Sequence, residues 1–229
     1  MTQSNGLRER LTGNVKNLES QKQDSSIKVV VNLVLSSLYK KYPDLDFGVD
    51  QTMMLRDIEN LVNGENYTTS DQTYLKPDGG FMWVKINQKK YYILVSEQKR
   101  QGTNDSRLIE GKGPQNCGNA AERLGKNVIG FEIMFQEEKI FPFIVFLQGC
   151  DFYDKESTIG DRIRTIARFL PFNTLNIYWK DRRAGSYFMR GHSMNNKPGT
   201  SDWTNEEMFE QMFTIATTAI NYYLKKYGK

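Results

Sequence analysis

A chain of 229 residues, 38% apolar and carrying 13 Phe and 12 Tyr, fits one domain with a full hydrophobic core. No apolar run approaches the roughly 18 residues needed to span a bilayer, and a net charge of +4 is too small to name a partner by itself. One histidine, His192, and two cysteines without ligand or redox spacing, Cys117 and Cys150, exclude paired-histidine zinc sites and suit a reducing, cytoplasmic setting.

In chain order, the first 26 residues are polar and mixed in charge. They lack the apolar centre of a signal peptide and read as a flexible arm on a single domain spanning 1–229. "SSIKVVVNLVLSSLYKKYP" opens with capping serines and stops before Pro43; Ile27, Val30, Val31, Val34 and Leu38 recur at a helical period. "FMWVKIN" and "YYILVSEQK" read as antiparallel strands joined at "QKK". "GNAAERLGKNVIGFEIMFQEE" reads as a helix, and the unbroken apolar run "FPFIVFLQG" as a strand covered on both faces. "DRIRTIARF" is a short basic helix and "TLNIYWK" a strand. "RGHSMNNKPGTS" is a loop that leaves His192 without a catalytic context, since no Gly-x-Ser-x-Gly elbow accompanies it. A last helix, "TNEEMFEQMFTIATTAINYYLKKYG", stacks Met208, Met212, Ile215, Ala219 and Tyr222 along one face. The expected fold is therefore α/β, a single-domain mixed β-sheet flanked by helices.

Charge is unevenly placed. Between Arg162 and Arg190 seven basic residues (Arg162, Arg164, Arg168, Lys180, Arg182, Arg183 and Arg190) meet one acid, Asp181; a second basic stretch runs from Lys99 to Lys126. Clustered Lys and Arg suit a phosphate backbone, where each neutralised phosphate releases counterions; a solubilising surface would carry the same residues.

The chemistry centres on "KPDGG" and "SEQK". Glu97 and Lys99 lie at i and i+2 of a strand and leave the same face. If the hairpin brings Asp78 alongside, two carboxylates and an ammonium converge, a set suited to Mg²⁺ and phosphate oxygens. Turns and strand ends carry such residues often, so the pattern alone does not decide between a metal site and ordinary turn chemistry.

Several further blocks decide it. "YPDLDF", "KPDGG", "ILVSEQKRQG", "GNAAERLGKN", "FPFIVFLQGCDF" and "EEMFEQMFTIATTAI" resemble, in order and local wording, the type II restriction endonucleases of the EcoRI group. The resemblance covers most of the chain, about Tyr42 to Ile220. It implies the restriction endonuclease-like PD-(D/E)xK core, with Asp78, Glu97 and Lys99 as catalytic residues. It further implies a metal held by Asp78, Glu97 and the backbone carbonyl of Gln98, with Mg²⁺ as cofactor and Mn²⁺ as a substitute. Bases would be read by Asn119, Glu122 and Arg123, with Gly118 and Ala120 allowing close approach, and the outer pair by Arg162. Arg100, Lys112, Lys126 and Arg164 would meet the DNA backbone. The implied partners are double-stranded DNA, a second copy of the chain across a two-fold axis, and a DNA adenine methyltransferase as genetic rather than bound partner, in a bacterial cytoplasm.

The implied target is a palindrome with central AATT, GAATTC first, with CAATTG and AATT alone left open at the outer position. Asn119 pairs with adenine N6 and N7, and Glu122 accepts from N6 amino groups. The chain departs from the group in a shorter segment before "GNAAER" and in lacking an insertion after "GCDFYDKESTIG", which bears on the outer base pair. Cys117 stands where a relative cutting CAATTG has arginine. Two other functions fit parts of the pattern: a repair nuclease with the same triad, disfavoured by "GNAAER", and a non-catalytic DNA binder, disfavoured by the intact Asp78, Glu97 and Lys99.

Overall fold

Burial follows the helical period at the start of the chain. In the computed structural model, which describes residues 26–54, 57, 74–100, 127–128, 130–131, 134–135, 137–138, 140–148, 187–189 and 203–228, residues 26–41 form helix α1. Its five periodic residues, Ile27, Val30, Val31, Val34 and Leu38, are all buried. The Tyr39 hydroxyl donates to the Phe47 carbonyl at 2.6 Å and fastens the first strand to this helix.

The strands are β1 (Asp46–Asp50), β2 (Met53–Met54), β3 (Tyr74–Leu75), β4 (Phe81–Ile86), β5 (Lys89–Arg100), β6 (Phe143–Gln148) and β7 (Tyr187–Met189). Five of them form one sheet in the order β1-β4-β5-β6-β7, while β2 and β3 pair separately. The β1, β4 and β5 pairings are antiparallel; β5 with β6 and β6 with β7 are parallel. The sheet is therefore mixed, as the sequence led one to expect. The β4–β5 turn is Asn87-Gln88, both at positive φ (51° and 68°), rather than "QKK". Two left-handed residues match the twist of a tight hairpin, so Lys89 and Lys90 are drawn into the strand.

Helix α2 contains Asn127, Val128, Gly130, Phe131 and Met134. It gives way to a turn by Phe135, where the Glu138 amide donates to the Phe135 carbonyl at 2.9 Å, so the expected helix does not run on to "QEE". Helix α3 (Asn205–Tyr227) opens with a capping box: the Thr204 hydroxyl accepts from the Glu207 amide, and the Glu207 carboxylate accepts from the Thr204 amide. Met208, Met212, Ile215 and Ala219 are buried as expected, but Tyr223 rather than Tyr222 completes the face. Tyr222 is half-buried because its hydroxyl, with Tyr227 and Lys226, converges on Glu138.

Two apolar layers result. Helices α1 and α3 pack with Phe47, Met82, Val84, Ile93, Leu94, Ile144 and Phe146 on one face of the sheet. Helix α2 packs with Phe81, Val95, Phe143 and Val145 on the other. Strand β6 sends alternate residues into both layers, which is why its apolar run is continuous. The N-terminal arm, "DRIRTIARF" and "TLNIYWK" lie outside the described residues.

Buried phenols set an alkaline limit. Burial pushes the Tyr223 hydroxyl far above its usual range, and burial, then the Asp50 carboxylate, pushes Tyr92 up to about 12. A phenol with a raised folded-state pKa keeps its proton when the unfolded chain has lost it. Its stabilisation is complete below pH about 10 and declines as pH rises past that value. Melting temperature is expected to fall above pH 10, with phenolate absorbance growing together with unfolding. Tyr223→Phe should move that fall to higher pH; a flat melting profile to pH 12 contradicts the account.

Candidate active site

The site starts from a glycine pair. Gly80 sits at φ +75°, and its amide donates to the Pro77 carbonyl at 3.1 Å, closing the "PDGG" turn. A Cβ on Gly79 would overlap the Ser96 hydroxyl, so only glycine lets the turn press on β5. There the Gly79 amide donates to the Ser96 carbonyl at 2.9 Å.

That contact replaces a missing strand. Pairing of β4 with β5 ends at Phe81 opposite Val95, and beyond it the turn takes over the β5 edge. The Gln98 amide donates to Asp78 Oδ2 at 2.9 Å, and the Asp78 amide lies 3.4 Å from Glu97 Oε2. Each acid thus accepts a backbone hydrogen bond from the other's segment. A register shift between Met82 and Trp83 leaves Ile93 as an extra residue on β5 and resets its alternation. As a result Ile93 and Leu94 both join the α1–α3 layer while Val95 faces α2, and Glu97, two residues on, takes the same side.

Glu97 is 1% exposed. A carboxylate so removed from water is costly unless hydrogen bonds or a cation compensate it. One partner comes from α2, where Asn127 Nδ2 donates to Glu97 Oε1 at 2.6 Å. The sequence reading passed over Asn127. The signal lay in its spacing: it precedes Phe131 by four positions, placing a polar amide on the helix stripe that faces the sheet. Ser96, also buried, offers no such signal, since only the docked turn gives it a role.

The structure brings together Asp78, Glu97 and the Gln98 backbone. Lys99 follows on β5 opposite Leu147, and Arg100 opposite Gln148; their side chains lie outside the described residues. So do Lys112, Gly118, Asn119, Ala120, Glu122, Arg123, Lys126, Arg162, Arg164 and His192. Among the described residues no group of three His, Cys, Asp or Glu side chains gathers. The Asp78 and Glu97 carboxylates on adjacent segments, together with the backbone carbonyl of Gln98, the next residue along β5, are a sparse set of hard oxygens. That set fits a small dication that keeps several waters and takes substrate oxygens.

A mixed sheet between helical layers, with an aspartate turn docked against a glutamate on the central strand, defines a nuclease-like α/β class. The family model for the restriction endonuclease EcoRI matches residues 12–160, a span that holds Asp78, Glu97, Lys99 and the "GNAAER" block but stops short of Arg162. The chain belongs to the EcoRI restriction endonuclease family, and is thereby a hydrolase acting on DNA. It is 26% identical to the type II restriction enzyme RsrI of Cereibacter sphaeroides, over 94% of this chain and 91% of that one. It is also 26% identical to the type II restriction enzyme EcoRI of Escherichia coli, over 86% and 84%. No helix among the described residues is long and apolar enough to cross a membrane.

Proposed function

We propose that the chain cuts both strands of duplex DNA at a palindrome with central AATT, most simply GAATTC, leaving four-base 5′ overhangs with 5′-phosphate and 3′-hydroxyl ends. The observation that carries the chemistry is the reciprocal pairing of Asp78 and Glu97 through each other's backbone segments. Asp78, Glu97 and the Gln98 carbonyl would hold Mg²⁺, or Mn²⁺ in its place. When bound, the ion draws charge from the phosphoryl group and eases deprotonation of water. Lys99 places its ammonium beside the attacked phosphate, orienting the water and offsetting the charge that builds there.

Specificity belongs to "GNAAER". Asn119 bonds adenine N6 and N7 together, Glu122 accepts from N6 amino groups, and Arg123 donates to purine N7. Gly118 and Ala120 keep the backbone close, Arg162 reads the outer pair, and Arg100, Lys112, Lys126 and Arg164 meet phosphates. A palindrome offers one half-site twice, so two copies of the chain across a two-fold axis meet both strands. A host encoding such an enzyme needs an adenine methyltransferase, because an N6 methyl removes the donor that Glu122 takes.

Sequencing the ends of digested phage DNA tests the target, and 5′-AATT ends are expected throughout. Asn119→Ala should weaken cognate binding by about 1–3 kcal/mol and nonspecific binding far less. Cut ends lacking AATT overturn the target while leaving the nuclease in place.

A further inference from the structure

Glu97 takes hydrogen bonds from two elements far apart in sequence. The Asp78 amide approaches Oε2 from the turn, and the Asn127 amide reaches Oε1 from α2 at 2.6 Å, across 30 residues of chain. A carboxylate contacted at both oxygens by separate elements, one of them through a short bond, is restrained about its last torsion. Its plane, and therefore the direction of its remaining lone pairs, is biased before any ligand arrives.

The type of donor matters. A Lys or Arg in place of Asn127 would neutralise Glu97 and compete with a dication for it. A neutral amide orients the carboxylate without adding a charge of its own. Asn127 is itself well supported: Val128 and Phe131, its neighbours on α2, are both buried against the sheet.

We infer that Asn127 is a positioning residue for cleavage, holding Glu97 in the orientation that takes the metal ion. This rests on the reading of Glu97 as a metal ligand. In this role Asn127 acts through Glu97, the side chain it bonds. Asn127→Ala and Asn127→Leu both remove the donor, and leucine keeps the branched outline at a larger volume where alanine leaves space, so packing and donation separate. Mn²⁺ affinity of the full-length protein, read from the electron paramagnetic resonance signal of free ion, is expected to weaken about 10- to 100-fold in both variants. The Mn²⁺ concentration for half-maximal cleavage should rise in step, and saturating Mn²⁺ should restore most of the parent rate. A purely structural residue would not be rescued by metal.

Glu97→Gln serves as the reference. Loss of Mn²⁺ affinity in Glu97→Gln with parent affinity in both Asn127 variants overturns the inference alone. Parent affinity in Glu97→Gln overturns the ligand reading beneath it. Failure of both Asn127 variants to fold assigns the residue to the core and also overturns the inference.

Discussion

Glu97→Gln is expected to lower cleavage about a thousandfold or more while leaving DNA binding measurable, since several kcal/mol of transition-state stabilisation by a metal convert to that factor. Glutamine keeps the length of the side chain and one oxygen, but it carries no charge and turns one carboxylate oxygen into a donor. That donor would meet the Asp78 amide, itself a donor, 3.4 Å from Oε2 in the parent. Lys99→Ala should lose activity on the same scale, because the ammonium is replaced by nothing that could offset charge on the phosphate. Cleavage within tenfold of the parent at matched Mg²⁺, by either variant, would sink the assignment of these roles.

Legibility in the sequence depends on range. Helix α1, strand β6 and helix α3 carry their burial in their own periodicity, so five positions of α1 and the double-faced character of β6 were legible. Strand β1 was not, because "DFGVD" has no pattern of its own. It is held by long-range partners: Asp50 accepts from the Trp83 indole and the Lys90 ammonium at 3.1 Å, and from the Tyr92 hydroxyl at 3.3 Å. Strands β2, β3 and β7, of two, two and three residues, are too short to impose a period. Tyr222 and Tyr223 are adjacent, and only Glu138, drawn in from the turn before β6, decides which of them is buried.

The site divides in the same way. "KPDGG" and "SEQK" supply Asp78, Glu97 and Lys99, and Glu97 with Lys99 falls on one strand as the spacing required. That Asp78 would lie against Glu97 depended on two glycines pressing a turn onto Ser96, which is a tertiary fact. The alternation that turns Glu97 toward α2 depended on a bulge opposite Met82 and Trp83, and no local motif announces it. Asn127 entered the site only because α2 crosses that same face.

Phe131→Ala is expected to cost about 3–5 kcal/mol, because a fully buried aromatic leaves a cavity its neighbours cannot fill. The ring packs edge-on to Phe81 at 5.7 Å and tilted to Phe143 at 5.5 Å, so it joins α2 to both the hairpin and the parallel half of the sheet. For a domain of this size the melting temperature should fall on the order of 10 °C. Activity should fall beyond what unfolding explains. Phe131 lies one helical turn after Asn127, and a loosened α2 withdraws the amide from Glu97. Met212→Ala, which opens the other layer under α3, provides the contrast: about 2–5 kcal/mol of stability lost, with cleavage per folded molecule retained. Melting curves and single-turnover cleavage, both well below the transition, separate the two. Phe131→Ala melting within about 3 °C of the parent would mean the ring contributes less than two kcal/mol, and α2 would then be held by something other than this aromatic cluster.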